Sequence, residues 1–127
     1  MLTTAPKAVS WHPAKLQQFI RGQITLGELE EVSAPEQRKI AELGQRFLTE
    51  GKLDNAQKIF EGLLALNPYH DYPYAGLAAV ARQRGDLDTA ERLYAKAVEL
   101  APGLEPLAAA HQEVLALKRM RTSSGSY

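Results

Sequence analysis

The chain has 127 residues, about one domain's worth, with 45% hydrophobic and 24% charged residues, the balance of an ordinary globular protein. Fifteen basic residues cancel fifteen acidic ones, so no net field steers the chain toward nucleic acid or an anionic membrane. The lack of cysteine excludes disulfides, thiolate metal sites and cysteine nucleophiles. With no apolar run near the ~18 residues of a membrane span, and no apolar stretch in Met1–Ser10 to serve as a secretory signal, the expectation is a cytoplasmic protein of one domain without membrane insertion.

Taken in order, His12-Pro13 opens a short helix through Leu16, Phe19 and Ile20 that closes at Gly22. Thr25-Leu26-Gly27-Glu28 has capping-box spacing and starts a brief helix from Leu29 to Val32, so N-terminal helices are expected over 13–33. Ser33-Ala34-Pro35-Glu36 repeats that spacing and opens the next helix, with Ile40, Leu43 and Phe47 as its apolar stripe. Gly51 marks a turn, and Asp54 is placed to cap a second helix carrying Ile59, Phe60, Leu63, Leu64 and Leu66. Asn67-Pro68 ends it, because the residue before proline is pushed out of the helical region.

The pattern then recurs. Tyr74, Leu77 and Val80 form a stripe, Gly85 a turn, and Asp88-Thr89-Ala90-Glu91 a cap-like start for a helix with Tyr94, Val98 and Leu100 before Ala101-Pro102. Laying Gln37–His70 over Asp71–Leu104, a shift of 34 residues without gaps, gives eight identities: Ala41/Ala75, Leu43/Leu77, Gly51/Gly85, Leu53/Leu87, Asp54/Asp88, Ala56/Ala90, Leu66/Leu100 and Pro68/Pro102. Such a period marks a stack of helix-turn-helix units. Pro106 opens a last helix with Leu107, Val114, Leu115 and Leu117 on its apolar side, and the polar segment Thr122–Tyr127 is expected to be a disordered tail.

These residues resemble the tetratricopeptide repeat. Ile40, Leu43, Gly44, Phe47, Ala56, Phe60, Leu63 and Pro68 answer its pattern in the first copy, and Tyr74, Leu77, Ala78, Ala81, Ala90, Tyr94, Ala97 and Pro102 in the second. Leu63 is larger, and Ala81 smaller, than the residues usual at their positions. The resemblance implies an all-α solenoid forming one domain over 1–127: N-terminal helices at 13–33, repeats at 37–70 and 71–104, a capping helix at 105–121 and a tail at 122–127. Two repeats do not bury a continuous core alone, so the flanking helices serve as caps, with a homodimer as the alternative cover. A closer likeness runs through Gly22-Gln23-Ile24-Thr25-Leu26, Glu50-Gly51-Lys52, Ile59-Phe60-Glu61-Gly62-Leu63 and Asn67-Pro68-Tyr69-His70-Asp71. There the chain is similar to the chaperones of bacterial type III secretion translocators, which hold their clients by an extended peptide. It lacks their complete third repeat.

Signatures of catalysis are missing. His12, His70 and His111 do not have metal-ligand spacing, and there is no phosphate loop, nucleophile elbow or paired-carboxylate pattern, so neither an enzyme nor a cofactor is expected. Lys118-Arg119-Met120-Arg121 reads as positive charge favoured at a helix C-terminus. Tyr69, Tyr72 and Tyr74 lack the basic charge a base-stacking surface needs.

The family resemblance directs attention to the first helix of each repeat, which lines the concave face. Carried over, it nominates Arg38, Ala41, Gln45, Leu48 and Thr49, then Tyr72, Ala75, Ala79, Arg82 and Gln83, then Ala109, Glu113 and Ala116 on the last helix. Small Ala75, Ala79 and Ala109 would admit a peptide backbone, Tyr72 and Leu48 give apolar contact, and Arg38 and Arg82 would orient carboxylates. The lysine-asparagine clamp of some relatives is absent, since Ala41 and Gln45 stand there. The function expected is a non-enzymatic module binding an extended segment of a protein partner, as a secretion-type chaperone or adaptor; the alternative is a self-assembly unit.

Overall fold

Ser33 begins the array by a complete capping box. Its hydroxyl accepts from the Glu36 N–H at 3.3 Å, and the Glu36 carboxylate accepts from the Ser33 N–H at 2.9 Å. A computed structural model describes residues 21–22 and 33–125, and after Ser33 it runs through α1 (Ala34–Thr49), α2 (Leu53–Leu66), α3 (Asp71–Gln83), α4 (Leu87–Leu100) and α5 (Glu105–Gly125). The described residues hold no strand. The helices expected over 13–33 lie outside the described residues, apart from the turn at Arg21-Gly22, where Gly22 has φ 77°.

The two internal turns are built alike. Gly51 and Gly85 adopt φ of 78° and 84°, the left-handed conformation that only glycine enters without cost. Around them, the Lys52 N–H reaches back to the Phe47 carbonyl at 2.8 Å, and the Asp86 N–H to the Ala81 carbonyl at 2.9 Å. This is the helix-ending pattern that satisfies the last orphan carbonyls. At the turn between the helix pairs, Asn67 leaves the helix in an extended conformation ahead of Pro68, as the proline requires.

Two expectations about capping are corrected. The helices start two residues earlier than caps at Asp54 and Asp88 would put them, at Leu53 and Leu87, so both acids sit inside the first turn. Asp86 caps α4, its carboxylate accepting from the Thr89 N–H at 3.2 Å, while α2 has no side-chain cap at Lys52. The freed carboxylates hold the units together instead. Arg84 pairs with Asp54 and donates to the Gln57 amide oxygen, tying the α3–α4 turn to the start of α2. Shifted by one repeat, Lys118 pairs with Asp88 at 2.8 Å and Glu91 at 2.7 Å, tying α5 to the start of α4.

Packing follows the chain, each helix lying against the next, with α1 also touching α3. One cluster joins Ile40 and Leu48 to Ala56, Ile59, Phe60 and Leu63 and reaches Val80 on α3. The other joins Ala78 and Ala81 to Leu87, Ala90, Tyr94 and Val114. Thus α3 belongs to both, and the buried alanines Ala56 and Ala90, each 0% exposed, sit where paired helices meet. Phe60 is the tightest element. A methyl group built on Gly44 would stand 2.8 Å from its ring, and one on Gly76 would stand 2.5 Å away, so the ring lies against bare backbone on two helices.

The last helix differs from expectation. It continues to Gly125, so residues 122–125 are helical and not a disordered tail, while 126–127 lie outside the described residues. From Leu107 to Ser124 there is neither glycine nor proline to stop it. The basic cluster is therefore not at the helix end. Lys118 holds α4, and the Arg121 guanidinium donates to the Gly85 carbonyl at 3.0 Å. Val114 is fully buried and Leu117 packs beside it, so α5 covers the second cluster.

Two expected outcomes test this architecture. A mid-helix Gly→Ala change ordinarily gains about 0.5–1 kcal/mol. Gly76→Ala should instead lose about 1–3 kcal/mol in urea unfolding, because the added carbon overpacks Phe60; a higher midpoint would contradict the contact. The second concerns pH. Hydrogen bonds and charge from Lys118 hold the Asp88 and Glu91 carboxyls below their ordinary range, and the two carboxylates raise Lys118. Depressed carboxyls contribute stability above their unfolded pKa that is lost on acidification, and a raised lysine contributes stability lost at high pH. Protection of the α5 amides, taken relative to their intrinsic exchange rate at each pH, should therefore fall once the pH drops below the ordinary carboxylate range and again once it rises above the ordinary lysine range. Lys118→Met should remove the acid limb, and an unchanged acid limb would show that these pairs do not hold α5.

Candidate functional site

The functional side chains are positioned by helical periodicity. On α1, Arg38, Ala41, Glu42 and Gln45 stand at spacings of three, four and seven, and therefore share one face. On α3, Tyr72, Ala75, Gly76 and Ala79 stand at the same spacings one repeat later. Pro106, Leu107 and Ala110 of α5 complete the wall. Together these faces line an open cleft of about 570 Å³, with Phe60 and Tyr94 beneath as aromatic floor. Both rings are largely buried, Phe60 at 3% and Tyr94 at 7% exposure, so the surface offered to a ligand is mainly that of the small residues above them, Ala75, Ala79 and Ala110.

Of the thirteen residues nominated from sequence, the cleft brings together Arg38, Ala41, Gln45, Tyr72, Ala75 and Ala79. The other seven lie outside its lining. Leu48 is only 3% exposed and belongs to the core, so it has no surface to offer a ligand. The Thr49 hydroxyl donates back to the Gln45 carbonyl at 3.1 Å. Gln83 donates to the Leu48 carbonyl at 3.4 Å, linking the ends of α1 and α3. Arg82 forms an ion pair with Glu113 that crosses from α3 to α5. On α5, Ala109 is exposed and Ala116 half-buried, neither in the cleft. The lining register there is Pro106, Leu107 and Ala110, a rotation of one residue that follows from Ala110, Val114 and Leu117 packing inward.

Electrostatics divide the cleft into two ends. Burial pushes the Tyr72 hydroxyl above its ordinary pKa, while the nearby Arg38 cation works against that rise and Asp71 adds to it. Tyr94 is raised by burial too, with Arg82 opposing and Glu113 reinforcing the shift, which puts its hydroxyl in the field of the α3–α5 ion pair. The His70 ring stacks on Tyr72, with centroids 5.2 Å apart and planes 21° from parallel, steadying the tyrosine at the rim. The Tyr74 hydroxyl is spent on the Pro68 carbonyl at 3.0 Å.

Among the described residues no cluster of three or more His, Asp or Glu could hold a metal ion, and no helix is long and apolar enough to cross a membrane. His12 lies outside the described residues, and His111, half-buried on α5, has a buried Nε2 without a hydrogen-bond partner. A second depression of about 270 Å³ lies on the opposite side, between α2 and α4, where Gln57, Glu61, Leu93 and Thr89 line it. Its rim is held by Arg84, already bound to Asp54 and Gln57.

Sequence reading missed Phe60, Gly76 and Tyr94 as cleft residues, assigning the two aromatics to the core alone. The signal was present: the 34-residue shift aligns Gly76 with Ala110 and Phe60 with Tyr94, pairing a small residue with each ring. Against known proteins, a family model described as tetratricopeptide repeat matches residues 47–115, more than half of the chain. Among curated proteins, none matches it.

Proposed function

Because this chain belongs to the tetratricopeptide repeat family, whose repeats generally mediate protein–protein interaction without catalysis, we propose that it holds an extended segment of a protein partner in the cleft across α1, α3 and α5. The observation that carries this reading is the composition of the cleft. Small Ala75, Gly76 and Ala79 let a backbone approach, the Phe60 and Tyr94 rings lie beneath, and Arg38, Gln45 and Tyr72 stand at the side with polar groups. An aromatic floor with polar rim groups is the general form of a peptide interface. Within this reading the role is a chaperone or adaptor acting in the bacterial cytoplasm. What supports that narrower role is the likeness of 22–33 and 50–71 to secretion chaperones, and it includes no nucleic-acid partner.

A second reading, self-assembly, is favoured by a separate observation. Met120 is 65% exposed and Leu104 48% exposed, both at or beside α5, where the solenoid ends among the described residues. They stand about 24 Å apart along α5 at 1.5 Å per residue, so in this reading each meets its own counterpart on another copy and the two do not form one patch. Light scattering on a dilution series separates the two readings, since the first requires no change of mass with concentration.

The cleft is tested by Tyr72→Ala and Ala75→Arg, the first removing an aromatic contact and the second filling the channel. Each should cost about 2 kcal/mol or more of partner affinity, the scale of an interface hot spot, with helical circular dichroism unchanged. If both variants bind the partner recovered by the unmodified chain with equal affinity, the partner sits elsewhere.

A further inference from the structure

Resting on the cleft reading above, we infer that Arg38, with the Tyr72 hydroxyl beside it, is the anchor that selects an acidic side chain in the bound segment, and that Arg82 is not. The two arginines are equivalent on paper, both on the first helix of a repeat, yet their surroundings differ. Arg82 is already neutralised by Glu113 across the α3–α5 gap, and an incoming carboxylate there would have to displace an intramolecular partner. Arg38 is exposed in the cleft wall and makes no ion pair or hydrogen bond among the described residues. The Tyr72 hydroxyl likewise has no hydrogen-bond partner among them; it lines the same cleft as Arg38, one repeat on, where the Arg38 cation works against its burial-driven rise and Asp71 adds to it. A guanidinium and a phenol, both donors with nothing to donate to, present the complement of one carboxylate.

The neighbours sharpen the ligand further. Glu42 stands one helical turn from Arg38 in the same wall, so a second acid placed there meets like charge. The favoured segment therefore carries a single Asp or Glu, and not an acidic tract. The carboxylate is assigned to a side chain within the segment, because the cleft is open.

A phage-displayed library of short random peptides, flanked on both sides by constant sequence and selected on the full chain, tests this. Enriched peptides, resynthesised with both ends capped, should carry one acidic residue. By fluorescence anisotropy, Arg38→Glu and Arg38→Gln should weaken them about tenfold or more, the scale of a lost charge-assisted hydrogen bond. A peptide with lysine in place of the acid should recover affinity for Arg38→Glu. Lys96→Glu, the same charge change on the exposed face of α4, should leave affinity unchanged. Normal binding to both Arg38 variants, enrichment without acids, or enrichment only from a library with free C-termini overturns the inference. If that happens while Ala75→Arg still abolishes binding, the cleft reading stands without its anchor. If no peptide is enriched, or Ala75→Arg binds normally, both fail.

Discussion

The ring of Phe60 lies against two stretches of backbone that carry no side chain, Gly44 on α1 and Gly76 on α3, and the rest of the molecule is arranged around that contact. Three helices meet there, so one aromatic group sets the distance between α1 and α3 as well as closing α2 beneath them. One repeat on, Tyr94 occupies the corresponding place with Ala78 and Ala110 at the positions of the two glycines, and it joins α3, α4 and α5. The substitution of alanine for glycine matches a looser junction, with Tyr94 retaining 7% exposure where Phe60 retains 3%. The same small residues that admit the rings form the cleft surface above them. Core packing and cleft floor are thus one set of contacts.

Polar ties follow the same repeat. A basic residue at equivalent positions of each following unit, Arg84 just past α3 and then Lys118 on α5, grips two residues at the start of the preceding second helix. Isolated surface pairs contribute little. Here each cation bridges two partners on another element, which fixes the register between units. For α5 this matters doubly, since it covers the second apolar cluster and also supplies Pro106, Leu107 and Ala110 to the cleft wall. Any partner in the cleft therefore touches a helix whose docking depends on Lys118, Arg121 and the Arg82–Glu113 pair.

Most of the fold was legible because a solenoid writes its architecture locally. The period of 34 residues, Gly51 and Gly85 at the turns, and proline after α2 and α4 each report a short-range constraint that a single sequence carries. Helix starts were less legible. Asp54 and Asp88 look like caps, but an acid is equally favourable inside the first turn, and their long-range partners Arg84 and Lys118 cannot be seen from local spacing. The cleft was half legible for the same reason. Positions 38, 45, 72, 75 and 79 follow from helical periodicity, whereas the burial of Leu48 and the pairing of Arg82 depend on where α3 and α5 come to rest. The extension of α5 to Gly125 was hidden by composition, since threonine and serine read as tail until ties such as Lys118 and Arg121 anchor the helix ahead of them.

The most direct test of the account is amide chemical-shift mapping of the full chain with a peptide selected on it. The account predicts perturbations concentrated on α1 and α3 at Arg38, Ala41, Tyr72, Ala75 and Ala79, continuing to Ala110 on α5, with Gln57, Glu61 and Leu93 on the opposite side unmoved. Perturbations confined to that opposite side, or to the outer surface of α5 around Met120, would contradict it.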